Sequence, residues 1–218
     1  MGKRVAVLLA GCGAYDGSEI HEASAALVHL SRAGAEHHVV DHASGEAQSG
    51  ETERNVLRES SRIARGGRAR PGAAPRRRLR RAARARWFGV GQELELVGLR
   101  GRELLAAAGR GGGAARLQGG GQTRGAVLHR PPVLAARLFP GCELTVGGRQ
   151  RAGGFPYAGT AAAIRELGCT HVCTDVGEAH VDAKLKIVTT SAFMCATAPI
   201  HHVHDGVGVM VREMLKLA

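Results

Sequence analysis

Aromatic side chains are scarce: one Trp, two Tyr and four Phe stand among 218 residues. Stacking of bases therefore has few platforms. Nowhere do eighteen apolar residues follow one another, since the longest apolar runs, VAVLLA and AALVHL, have the length of a strand or a short helix. No segment is long enough to cross a bilayer as a helix. Cysteines number five, an odd count without CxxC spacing, which argues against a disulfide scaffold and for reduced thiols inside a cell. No secretory signal or Arg/Ser-rich, acid-poor presequence stands before the first apolar run, so any transit peptide is expected to be missing from this sequence.

Acidic residues are short in one place only. Residues 67–131 hold 15 Arg and 3 Glu with no Lys or Asp, whereas the rest of the chain carries 15 bases against 16 acids. The net charge of +11 thus originates entirely in that segment. The same stretch has 14 Gly and 12 Ala but no Ser, Asn, Ile, Tyr, Met or Cys, while its flanks use an ordinary alphabet. A genuine Arg/Gly segment of this kind is expected to be disordered. It would bind nucleic acid or another polyanion by counterion release, with only Trp87 and Phe88 to stack. The run RRRLRRAARAR is too charged for a core strand in a domain of this size.

Outside that segment the pattern alternates between periods. Residues 3–10 (KRVAVLLA) read as a buried parallel strand ending at the tight turn Gly11-Cys12-Gly13. A helix follows, with Ser18 as its N-cap and Ile20, Ala23, Ala26, Leu27 and Leu30 facing inward up to Gly34. Residues 51–66 repeat the helical pattern, with Val56, Leu57 and Ile63 inward. Further helices are expected at 133–138, 159–167 and 196–217, and strands at 143–147 and 171–174. The runs at 178–182 and 186–190 read as a hairpin or two neighbouring strands. This alternation argues for a doubly wound α/β fold in one domain spanning 1–218, interrupted by the anomalous segment 67–131.

Several strings are specific: GCGAYDGSEIHEA, LSRAGAE, TERNVLRESSRIARG, PYAGTAAAIRELG, EAHVDAKLKIVTTSAFM and HDGVGVMVREML. Together they resemble the ElbB-type proteins, a family with mitochondrial members in vertebrates and part of the PfpI-type, class I glutamine amidotransferase-like superfamily. The resemblance covers residues 2–66 and 132–218. It implies a flavodoxin-like α/β sandwich, a mitochondrial location, a homodimer and no cofactor. Its activity would be at most cysteine-dependent chemistry on a small carbonyl compound, such as a glyoxalase-like hydration.

Three departures stand out. Part of the family's second strand and loop is missing between Glu36 and Val40, and residues 67–131 do not match. The family's nucleophilic cysteine, on a strained strand-to-helix elbow, falls on Leu128. Leucine has no lone pair, so thiolate chemistry at that position is excluded for the chain as written. Reading frame accounts for this: Val127-Leu128-His129-Arg130-Pro131 can be written GTG CTG CAT CGC CCC, which shifted by one base reads Cys-Cys-Ile-Ala-Pro. A shift near Gly67 and a compensating base at Pro131-Pro132 would produce the whole anomaly.

By the same resemblance, Glu19 is the acidic partner that would hydrogen-bond the cysteine; as a first-turn Glu it also simply complements the helix dipole. The histidine that superfamily members often add after the next strand is replaced by Gly148 and Arg149. Cys12 lies where open α/β sheets bind ligands, although a small residue in a tight turn is the plainer account. His201 and His204 alone of the IHHVHD histidines share a helix face, and no metal site is assigned to them.

Overall fold

A computed structural model of the chain describes residues 3–9, 12, 18–41, 46–49, 52–65, 68–69, 85–87, 104–106, 115–117, 124–127, 135–136, 139–148, 158–195 and 197–218. In chain order come β1 (Arg4–Leu9), α1 (Ile20–Arg32), β2 (Glu36–Asp41), β3 (Glu46–Ser49), β4 (Thr52–Asn55), α2 (Val56–Ala64), β5 (Arg68–Ala69) and β6 (Ala85–Trp87). Then follow β7 (Leu104–Ala106), β8 (Ala115–Leu117), β9 (Arg124–Val127), β10 (Glu143–Leu144), α3 (Ala158–Glu166), β11 (Thr170–His171), β12 (Ala179–Asp182) and β13 (Ile187–Thr190). A 3₁₀ turn at Ala192–Met194 and helix α4 (Ile200–Lys216) close the chain.

Strand β1 alternates as a sheet requires: Val5, Val7 and Leu9 share one face and are each at most 1% exposed. It is flanked on both sides by parallel partners, β2 in the register Arg4↔Glu36 to Leu9↔Asp41 and β6 at Ala6↔Ala85. With β5 beyond β2, the order is β5-β2-β1-β6. A six-residue β2 therefore forms despite the shortened sequence around it.

Five short strands, β5 to β9, come from the segment to which the sequence reading allots none, and three of them, β5, β6 and β9, extend the sheets of the flanks. Ala85–Trp87 pairs with β1, and Arg124–Val127 pairs in parallel with β13. The ladder asks only for backbone N–H and C=O groups over three or four residues, which the charge of neighbouring side chains does not forbid. Leu128, Arg149 and most of 67–131 lie outside the described residues.

Helix boundaries follow capping chemistry. Both α1 and α3 end in the same motif: Gly34 (φ 64°) and Gly168 (φ 77°) take the left-handed position. The pairs Ala35 N–H to Leu30 C=O and Cys169 N–H to Ile164 C=O close the last turns. At the other end of α1 the cap is Glu19, not Ser18. The expected helix at 51–66 starts at Val56, because Thr52–Asn55 pairs with β3 in a hairpin.

Strand β13 explains why two helical layers are needed. All four of its residues are buried, and alternate side chains enter different cores. Val188 packs with β1, α1 and α4, whereas Ile187 packs with Leu144, Val146, Ile164 and Met194. A strand covered on both faces is the signature of a doubly wound sheet. The antiparallel hairpin β12–β13 runs from Ala179↔Thr190 to Asp182↔Ile187. Buried Asp182 holds its surroundings through both oxygens, accepting from Glu143 N–H (3.0 Å) and Leu185 N–H (2.9 Å).

Candidate functional site

Helix α1 begins beyond the C-terminal end of β1, and its first turn is organised by two carboxylates three residues apart. Glu19 caps the helix: Oε2 accepts the Glu22 N–H at 2.8 Å, and Oε1 lies 2.8 Å from His21 Nδ1. Both of its oxygens are thus engaged in fixing the helix start. Glu22 lies on the inward stripe with Ala26 and Leu30 and is only 2% exposed. Its Oε1 accepts the Phe193 N–H at 3.0 Å, while its Oε2 is buried and has no partner among the described residues.

Phe193 belongs to the turn that leaves β13, so this hydrogen bond joins the C-terminal ends of β1 and β13. The turn is strained. Ala192 sits at φ 49°, a left-handed conformation that costs a non-glycine residue about 1–2 kcal/mol. Such strain survives where surrounding contacts fix it; here Glu22 holds Phe193 N–H and the His21 ring meets Phe193 edge-on at 5.6 Å. At the head of the turn the Ser191 hydroxyl is buried and also unpartnered among the described residues.

Burial in this setting pushes the Glu22 carboxyl well above the usual carboxylate range, and the Glu19 charge pushes the same way against the opposing Phe193 N–H. The favoured form carries its proton. With Oε1 occupied as an acceptor, a proton on this carboxyl belongs on Oε2. Open α/β sheets bind ligands at this edge, outside the carboxyl ends of their strands.

The structure distributes the other candidates as follows. Cys12 is half-buried and in no disulfide. At Gly148 (φ 118°) an added Cβ would stand 3.4 Å from Cys173 Sγ and 3.6 Å from the His171 ring, so those two side chains border the position of the missing histidine. His201 meets His202 edge-on at 4.4 Å, whereas His204 turns to α1 and lies 3.2 Å from His29 Nε2. Among the described residues no three His, Cys, Asp or Glu are grouped to hold a metal ion.

Glu22, Ser191 and Phe193 escape a reading of the sequence. The available signal is a carboxylate on an apolar stripe: Glu22 is in phase with Ala26 and Leu30, while Ile20, expected inward, is 47% exposed. The cap at Glu19 sets that phase.

No protein-family model matches the chain. A human protein, glutamine amidotransferase-like class 1 domain-containing protein 3, mitochondrial, is 45% identical across 98% of this chain and 83% of its own length. The chain belongs to that family. A rat member, ES1 protein homolog, mitochondrial, is 44% identical across 98% of this chain and 84% of its own length. Both relatives are named as mitochondrial, and by that resemblance this family member is mitochondrial too. The crystal structure of an isoprenoid biosynthesis protein with an amidotransferase-like domain from Ehrlichia chaffeensis shares the fold, with a TM-score of 0.73 at 21% identity over 98% of each chain. The amidotransferase-like α/β sandwich expected from the sequence is therefore the fold of this family member.

Proposed function

We propose that this chain binds a small carbonyl compound at the carboxyl edge of the sheet and, as written, does not turn it over. One observation carries the reading: Glu22 is a buried acid with one oxygen fixed by Phe193 N–H and the other buried without a partner among the described residues. Such a group donates a hydrogen bond to a carbonyl oxygen and polarises it. Turnover further requires a nucleophile to add to the carbonyl carbon, and by resemblance that position holds Leu128. In this account Glu22 is the acid of the site, and Glu19 positions it by capping the turn that carries it.

The test is glyoxal conversion to glycolate by the full chain and by Leu128→Cys. No turnover is expected from the unaltered chain, and a gain is expected from the variant that disappears when Glu22→Ala is added. Turnover by the unaltered chain overturns the proposal. Sequencing the native transcript through the codons for 36–138 tests the frame: an offset of one base near codon 67 that is reversed in the C-run at codons 131–132, leaving codon 128 read one base later, gives the native protein its cysteine. An unchanged sequence makes the leucine native. Sedimentation of the full chain tests the homodimer expected for the family.

The confinement of 15 Arg to residues 67–131 favours a second reading, polyanion binding through that segment. It is separable from the first because it does not involve Glu22.

A further inference from the structure

Cys142 and Cys169 occupy matching positions at the entry of the parallel pair β10–β11, each one residue ahead of the register Glu143↔Thr170. Thr170 N–H donates to the Cys142 carbonyl at 2.9 Å, which continues the ladder to the cysteines themselves. They are lateral neighbours on adjacent strands, with backbones about 4.8 Å apart. Their side chains leave the same face and bring the two sulfurs to 3.5 Å, both reduced. A disulfide tolerates Cα separations of about 4.4–6.8 Å and needs its sulfurs at about 2.05 Å. Rotation about the side-chain torsions closes most of the remaining gap without moving a strand.

We propose that Cys142 and Cys169 are a reversible dithiol–disulfide pair, oxidised by a hydroperoxide and reduced by small thiols. The two thiols are unequal. Cys142 is fully enclosed, and burial together with the neighbouring thiol pushes its titration up, whereas Cys169 keeps 6% of its surface. Cys169 is accordingly the sulfur oxidised first.

With hydrogen peroxide, the Cys169 thiolate takes the terminal oxygen, the O–O bond breaks and hydroxide leaves, giving a sulfenic acid at Cys169. Cys142 sulfur then attacks Cys169 sulfur, the S–O bond breaks, and the departing hydroxide is protonated. Two thiols lose two protons and two electrons, and one peroxide becomes two waters. The bond formed is open to thiol–disulfide exchange, in which a thiolate attacks one of its sulfurs and the other leaves as thiolate. Closing it encircles α3 in a covalent loop, which restrains the unfolded chain and raises Tm.

The test treats the full chain with hydrogen peroxide, followed by alkylation under denaturing, non-reducing conditions and peptide mapping. The expected product is one linked peptide pair joining Cys142 to Cys169, with intact mass lowered by two hydrogen atoms, Tm raised, and all changes undone by dithiothreitol. In Cys142→Ser the sulfenic acid at Cys169 persists and is captured by dimedone. Peroxide treatment that leaves both cysteines of the unaltered chain alkylatable, or that links either one to Cys12, Cys173 or Cys195, overturns the proposal. The map of the unaltered chain decides even if the variant does not fold.

Discussion

Glu22 concentrates the chemistry of the site in one group, because the environment that hides its charge also leaves one oxygen without a partner among the described residues. Its removal is costly for a specific reason. Glu22→Ala strands the Phe193 N–H in a buried position, an expected loss of about 1–3 kcal/mol in unfolding free energy measured by denaturant titration. The conservative Glu22→Gln keeps an acceptor for Phe193 and cannot ionise. A carboxyl raised in the fold contributes stability that is fully present below its unfolded value of about 4.3 and is lost as pH rises through the folded value. The unaltered protein is therefore expected to lose ground to Glu22→Gln as pH rises above about 4.3. A stability difference independent of pH contradicts this.

Among the elements, α4 packs closely because two of its glycines make room, Gly208 for α1 and Gly206 for the segment that leads into β12. A Cβ at Gly208 would stand 2.5–2.9 Å from ring atoms of His29, and one at Gly206 only 2.0 Å from the Val176 carbonyl oxygen. Gly→Ala inside a helix ordinarily gains up to about 1 kcal/mol. Here Gly208→Ala is expected to cost about 1–3 kcal/mol. Gly206→Ala should cost at least as much, since backbone must move; a gain in Tm for either variant contradicts the packing. His29 Nε2–H donates to the His204 carbonyl at 3.1 Å, and the neighbours that bear on its charge are His204, Arg32 and Arg212, with Asp205 3.8 Å from His204 Nδ1.

Burial foremost, then the His204, Arg32 and Arg212 charges, lower the His29 titration against the opposing carbonyl. Stability from this group is present above about pH 6.5 and is lost as pH falls through the folded value. The advantage of the unaltered chain over His29→Gln is expected to shrink below about pH 6.5. The elements themselves were largely legible: β1, α3, the β12–β13 hairpin and α4 follow from period and capping residues. The short strands between 67 and 131, among them 85–87 and 124–127, were not, because arginine and glycine mask a ladder made of backbone alone. Nor was the choice between Glu19 and Glu22, which depends on a one-residue difference in where α1 is capped.

At the scale of the whole molecule, two cores meet at β13, and nearly all excess charge lies in one segment. Replacing Arg76, Arg77, Arg78, Arg80 and Arg81 by Gln tests polyanion binding without deleting β6 or β9. Retention on heparin that falls steeply with salt is expected for the unaltered chain and much less for the variant. Equal, salt-insensitive behaviour of the two excludes the second reading. The site reading rests instead on the protonated acid at the junction of β1 and β13. Its most direct measurement is the carboxyl carbon signal of Glu22, labelled with ¹³C and assigned by comparison with Glu22→Gln, followed through a pH titration of the folded chain. The account predicts a neutral carboxyl signal persisting well above the free value of about 4.3. A carboxylate signal appearing near that value contradicts it.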